Sequence, residues 1–219
     1  MKKSQIIKNT ELFAKQSLEK DKSGSHDWWH IVRVRNNGRA ICKTEKADPF
    51  IVDLAVLLHD VGDWKVIDKK EDDYTIAENF LVQQNLDQKT IDQVMFIIKN
   101  MSFSKSLGQK SKNVPIEFYV VQDADRLDAM GAIGIARVFA YGGVKGRPLH
   151  DPVRKFSKHF SSEEHYRNSA PPSFHHFYEK ILLLKDLMNT KSAKKIAARR
   201  HEYLKKYMKQ FLLEWEGKR

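Results

Sequence analysis

Apolar positions recur at three- and four-residue spacing along nearly the whole chain, and signals for strands are almost absent. That periodicity predicts helices throughout. A first helix is expected over 4–20, burying Ile6, Ile7, Phe13, Ala14 and Leu18, with a loop at Asp21-Lys22-Ser23-Gly24-Ser25. A second runs from about Asp27 to Lys43. Asp48-Pro49 pairs a capping residue with proline at the first helical position. It opens a third helix, with Phe50, Leu54, Leu57 and Leu58, that stops near Gly62. Thr75-Ile76-Ala77-Glu78 has capping-box spacing. Asp87 caps a helix to about Met101, residues 102–114 read as a polar loop, and Pro115 starts a helix through Asp128. Gly131 and Gly134 suit close contact between helices. From Tyr141 to Pro172 the regularity breaks at Gly142, Gly143, Gly146, Pro148, Pro152, Pro171 and Pro172. A long irregular, lid-like connection is expected there. Ser173 is expected to cap a helix with Phe174, Phe177, Ile181 and Leu184, and a last long helix runs from about Lys191 to Glu214. The pattern reads as an all-α chain.

Composition narrows the class. With 219 residues and 41% apolar content, the chain suits one domain with a single core. No run of 18 apolar residues is present, so no membrane span is expected. Met1-Lys2-Lys3-Ser4 has no apolar stretch behind it and reads as no signal peptide. One cysteine, Cys42, cannot form an internal disulfide, which fits a reducing cytoplasm; it is expected to be a buried small hydrophobe. The net charge of +11 raises anionic partners. Much of the excess, however, sits in Lys191, Lys194, Lys195, Arg199, Arg200, Lys205, Lys206 and Lys209, which read as a solvated helix face. No nucleic-acid-binding motif accompanies it.

Three stretches carry the chemistry. The first is His26-Asp27-Trp28-Trp29-His30, the second Leu58-His59-Asp60-Val61-Gly62-Asp63, and the third Asp123-Ala124-Asp125-Arg126-Leu127-Asp128. His30, Arg33 and Asn37 share one face of the second helix at i, i+3 and i+7, while Ile31, Val34 and Ile41 can turn to the core. His59 and Asp60 close a very apolar run, where both are costly unless paired or ligated. A helix C-terminus also favours a cation. In the third stretch, Val121, Asp125 and Asp128 form a face that turns doubly acidic, which asks for a cation or an arginine among the carboxylates. Two imidazoles with carboxylates make a mixed N/O set for a divalent metal, which can lower the pKa of water toward neutrality.

In the order His … His-Asp … Asp, these motifs resemble the HD-domain superfamily of metal-dependent phosphohydrolases, most closely its small single-domain bacterial branch acting on nucleotide-type phosphates. The resemblance implies a single HD-type helical bundle over 1–219, with a metal-binding core at about 26–137 and C-terminal helices at about 173–215. It selects His30, His59, Asp60 and Asp125 as metal ligands, keeps Asp123 as the fallback for Asp125, and leaves Asp128 to orient a ligand or pair with Arg126 or Arg137. Binuclear relatives carry further histidines in the middle of the chain, whereas here none lies between His59 and His150. One metal is therefore expected. The N/O set suits Mn²⁺, Co²⁺, Ni²⁺, Fe²⁺ or Zn²⁺ better than Mg²⁺ alone, with Mn²⁺ favoured.

Around this set, Asp63 is a candidate base or an orienting carboxylate. His26 is a candidate for proton donation or phosphate contact. Arg33 and Lys65 are candidate phosphate ligands. Trp28, Trp29 and Trp64 either stack on a base or pack the core, and packing is expected for at least two. His175-His176 reads as a helix-face pair. The Tyr141–Arg147 loop has glycines and two cations but lacks the Gly-Lys-Ser/Thr of a P-loop. The reading is a cytoplasmic hydrolase that releases pyrophosphate from (deoxy)nucleoside triphosphates, with no membrane or nucleic-acid partner. Its rivals are a nucleotide monophosphatase, a phosphodiesterase of the same fold, and a non-enzymatic basic helical protein that binds nucleic acid.

Overall fold

The computed structural model describes residues 2–19, 27–62, 73–101, 114–155 and 171–218. Its elements are α1 (Lys3–Leu18), α2 (Trp28–Glu45), α3 (Pro49–Leu58), α4 (Thr75–Gln83), α5 (Gln88–Asn100), α6 (Ile116–Asp128), α7 (Gly131–Val144), α8 (His175–Glu179), a 3₁₀ helix (Ile181–Leu187) and α9 (Lys191–Trp215). Among the described residues there is no strand, so the all-α expectation holds.

Three predicted starts form as capping chemistry dictates. Asp48 accepts from Phe50 N at 2.8 Å with Pro49 at the first helical position, and Asp87 accepts from Thr90 N at 2.9 Å. Asp27 caps α2 by accepting from His30 N at 2.8 Å, so the residue that starts the helix also fixes the backbone of His30.

The α3 helix is apolar all round, and every residue from Ile51 to Leu58 is buried. Such a helix belongs inside a bundle. It packs against α1, α2, α5 and α6, and α2 lies along α6 over its length. Gly38 permits that approach, since a Cβ there would sit 3.2 Å from Val52 Cγ1 and 3.7 Å from Ala124 Cβ. The one charge on the buried part of α3, Asp53, is held by Arg35 at 3.0 Å and Arg39 at 2.7 Å. Burial alone would raise its carboxyl pKa, but those hydrogen bonds hold it below the usual range. One apolar cluster runs from Ile6 in α1 to Met208 in α9.

Several local readings are corrected. Thr75 does not cap α4. It lies inside the helix with its hydroxyl on Asp73, and Glu78 pairs with Lys99 at 3.4 Å instead of closing a capping box. The helix α7 continues through Gly142 and Gly143 to Val144, so the irregular segment begins at Lys145; residues 156–170 lie outside the described residues. Gly142 is needed by packing, because a Cβ would fall 1.9 Å from Ser173 Oγ. Ser173 does not open one long helix either. α8 ends after five residues and the chain breaks at Lys180 (φ −138°, ψ −55°) before the 3₁₀ helix. On α9, Arg200 turns inward while the other seven basic residues of the predicted face are exposed. No single described helix is long and apolar enough to cross a membrane.

Gly62 ends the turn that follows α3. Its φ is +89°, and a Cβ would lie 2.2 Å from Asp73 O, whose own N–H donates to Gly62 O at 2.8 Å. Gly62→Ala is expected to cost about 2 kcal/mol or more from the left-handed backbone and the clash. Calorimetry should show a midpoint lower by roughly 5 °C; an unchanged midpoint would contradict this turn.

Candidate metal centre

The polar stripe of α2 faces α6. Asn37 Nδ2 donates to Ala124 O at 3.1 Å, and one turn apart Arg33 and His30 both meet Asp128. From the other side, the end of α3 delivers His59 and Asp60. His30, His59 and Asp60 each offer a ligand atom, all within 4.8 Å of one another, and all three side chains are buried. His30 Nε2 lies 3.3 Å from His59 Nε2, 3.5 Å from Asp60 Oδ2 and 3.5 Å from Asp125 Oδ1. His59 Nε2 is 3.4 Å from Asp60 Oδ1. Donor atoms that share one ion at about 2.1 Å lie about 3.0–3.4 Å apart, so this spacing fits a single cation.

The outer ring nitrogens fix the tautomers. His59 Nδ1 is 2.8 Å from Val56 O, which can only accept, so Nδ1 carries the proton. His30 Nδ1 is 2.8 Å from Asp128 Oδ2. Asp128 also accepts from Arg33 Nε at 2.8 Å, Arg33 Nη2 at 3.1 Å and Arg137 Nη1 at 2.9 Å. Burial works to raise the Asp128 pKa, but the bonds from His30 and Arg33 and the charge of Arg137 hold it well below the carboxylate range. It is therefore an acceptor for His30 Nδ1–H. Burial, with Arg137 nearby, lowers the His30 pKa. Both Nε2 atoms thus present lone pairs to each other and to two carboxylates, an arrangement that attracts a cation.

Asp123, the fallback ligand, is placed elsewhere. Its two oxygens accept from Asn189 N, Asn189 Nδ2, Thr190 N and Thr190 Oγ1 at 2.8–3.1 Å, at the start of α9. Asp125, two residues on, is about a third exposed and faces His30. Arg33, expected at phosphate, has one edge committed to Asp128 while 31% of its side chain stays accessible. Of the two arginines expected as alternative partners of Asp128, Arg137 pairs with it, whereas Arg126 reaches Leu187 O. His26, Asp63, Trp64 and Lys65 lie outside the described residues. Trp28 packs against the core, while Trp29 is 64% exposed on the first turn of α2.

Sequence reasoning missed Arg200, whose guanidinium donates to Leu127 O and, at 3.3 Å, to Asn37 Oδ1. Gly131, at φ +68°, lies against its stem. Its only signal was a position on the inner face of α9. His175 and His176 belong to the α8 region: His175 Nε2 lies 3.2 Å from Asp151 O, and burial, then Lys180 and Arg147, pushes the His176 pKa down to about 3. Burial, with Asp53, pushes the Cys42 thiol up to about 11, which leaves little thiolate for nucleophilic chemistry.

The HD domain model matches residues 28–130, the interval that holds His30, Arg33, His59, Asp60, Asp125 and Asp128. The protein YpgQ of Bacillus subtilis (strain 168) is 37% identical over 196 residues, covering 89% of this chain and 87% of that one. A solved structure from Lactobacillus plantarum aligns with a TM-score of 0.86 at 37% identity, over 99% of both chains. An HD-superfamily hydrolase from Bacillus thuringiensis aligns at 0.75 with 42% identity, over 98% of this chain and 99% of that one. YpgQ in complex with ADP aligns at 0.73 with 35% identity, over 94% of this chain and 95% of that one. The chain belongs to the HD-domain superfamily. It is similar over nearly its full length to a set of bacterial members, one of them named a hydrolase.

Proposed function

We propose that this chain is a metal-dependent phosphohydrolase that converts (deoxy)nucleoside triphosphates to monophosphate and pyrophosphate. The observation that carries the reading is the pair of histidine Nε2 atoms 3.3 Å apart, both with their Nδ1 atoms engaged as donors, beside Asp60 and Asp125. That donor set fits Mn²⁺ or a similar transition ion. When bound, the ion supplies a lowered pKa for water and charge neutralisation at a phosphoryl oxygen. The ADP complex of YpgQ supports a nucleotide as the ligand.

The chain's own residues do the rest. His30, His59, Asp60 and Asp125 hold and orient the centre. Arg33, on the accessible side of Asp128, meets the negative charge that grows on the polyphosphate. Asp63 receives the proton of the attacking water, His26 is the donor to the leaving oxygen, and Lys65 meets the distal phosphates. Trp29, one turn before Arg33, offers an open aromatic face for a base. The water oxygen bonds to the α-phosphorus, the bond to the bridging oxygen breaks, and pyrophosphate leaves.

The test is a panel of nucleoside mono- and triphosphates with Mn²⁺, with both phosphate and pyrophosphate quantified. The expected result is pyrophosphate equimolar with nucleoside monophosphate, abolished by chelation and restored by Mn²⁺. Phosphate alone would make the chain a phosphatase, and no turnover of any nucleotide by metal-loaded protein would overturn the substrate assignment.

A further inference from the structure

Asp128 is the most heavily engaged carboxylate at the site, and both its oxygens are taken by protein donors. Its side chain is 2% exposed, and four hydrogen bonds converge on it from three residues on two helices. Oδ2 takes His30 Nδ1, Arg33 Nη2 and Arg137 Nη1, while Oδ1 takes Arg33 Nε. The acceptor that fixes the ring of one ligand therefore also fixes two guanidiniums. A third, that of Arg200, reaches Leu127 O one residue away.

We propose that Asp128 is the positioning residue of this centre, holding His30 with Nε2 as its ligand face and presetting Arg33 for phosphate. Metal affinity and phosphate affinity then pass through one carboxylate. The inference rests on the metal-centre reading given above.

The chemistry of an amide shows why the carboxylate is needed. In Asp128→Asn, one of the two oxygens becomes an NH₂ group. If that group replaces Oδ1, it faces the Arg33 Nε–H donor, and Arg33 keeps only its Nη2 bond to Oδ2. If it replaces Oδ2, it donates to His30 Nδ1, which must then accept, so the ring proton moves to Nε2 and the ligand face is blocked. Neither orientation preserves both functions. Carboxylates that orient a metal-bound histidine are worth roughly 10- to 100-fold in metal affinity.

The experiment begins with calorimetric titration of the wild-type chain with Mn²⁺ alone, without nucleotide. Absence of binding there would sink the metal-centre reading itself. Given binding, Asp128→Asn is expected to weaken Mn²⁺ by about 10- to 100-fold and, at saturating Mn²⁺, to raise the inhibition constant of inorganic pyrophosphate. Arg33→Gln is expected to raise the pyrophosphate constant while leaving Mn²⁺ affinity within about threefold. That split distinguishes positioning from general destabilisation, which would move both variants with their melting temperatures. Equal Mn²⁺ affinity together with an equal pyrophosphate inhibition constant in wild type and Asp128→Asn would overturn the proposal. A measurement on the wild type alone covers the case where the variant fails to fold. With diamagnetic Zn²⁺ bound, ¹⁵N–¹H spectra of the histidine rings should show His30 protonated at Nδ1 and metal-shifted at Nε2; the reverse assignment would overturn it.

Discussion

Asp60→Asn is expected to abolish turnover without harming the fold. The side chain is buried between two imidazoles, 3.5 Å from His30 Nε2 and 3.4 Å from His59 Nε2. Removing its charge deletes one of the two carboxylate charges that face the imidazoles. The loss of kcat/KM should exceed the roughly 100-fold typical of residues that only orient a ligand, reaching about 1,000-fold or more. Stability should move the other way. Without metal, the wild-type site packs carboxylates and ring lone pairs together, and the amide relieves part of that repulsion. The metal-free variant should therefore melt at or slightly above the metal-free wild type. Mn²⁺ at about 100 times its dissociation constant should stabilise the wild type by roughly 2.7 kcal/mol. That corresponds to about 5–10 °C for a chain of this size, and the gain should be missing in the variant. Scanning calorimetry with and without Mn²⁺ reads both effects. A variant that still gained several degrees would show that Asp60 is no ligand.

The second large effect is on stability. Asp123→Ala removes the acceptor for both backbone N–H groups at the start of α9 and for the side chains of Asn189 and Thr190. Thr190 is buried, so its N–H is left without water to replace the carboxylate. Each orphaned buried donor costs about 1–3 kcal/mol, giving a total of roughly 3–5 kcal/mol. The melting temperature should fall by about 10 °C or more. Because α9 also carries Arg200 to Leu127 O and Asn37, loosening it relaxes the end of α6 that bears Asp128. Mn²⁺ affinity measured well below the melting temperature should change by only a few-fold. A collapse of Mn²⁺ binding in a folded Asp123→Ala protein would instead favour Asp123 as a ligand.

The readable parts of the chain were those set by neighbours in sequence. Asp48-Pro49 and Asp87 cap their helices because a short acceptor there meets backbone N–H groups two or three residues on. The stripe His30, Arg33 and Asn37 points one way because helical geometry requires it, and all three meet α6. The His-Asp pair at the end of an apolar run was legible because burial makes such a pair expensive unless it binds something. What failed to show depended on partners far along the chain. The Thr75 box does not form because Asp73 engages the hydroxyl and Lys99, on the next helix, draws away Glu78. Glycines 142 and 143 looked like breakers, yet α7 runs through them, with Ser173 packed against Gly142. The sequence preferred Asp125 but kept Asp123 as a fallback, and the arrival of Asn189 and Thr190 at Asp123 is what separates the two in the fold. Arg200 was counted among surface cations because nothing in α9 itself records that Leu127 O lies beneath it.

His30, His59, Asp60 and Asp125 are expected to hold one divalent cation between them. Crystals soaked in Mn²⁺ and measured at the manganese absorption edge test it most directly. One strong anomalous peak is expected about 2.0–2.2 Å from both Nε2 atoms and from a carboxylate oxygen of Asp60 and of Asp125, with Asp128 beyond bonding distance. A peak centred elsewhere, or none between the two imidazoles, would contradict it.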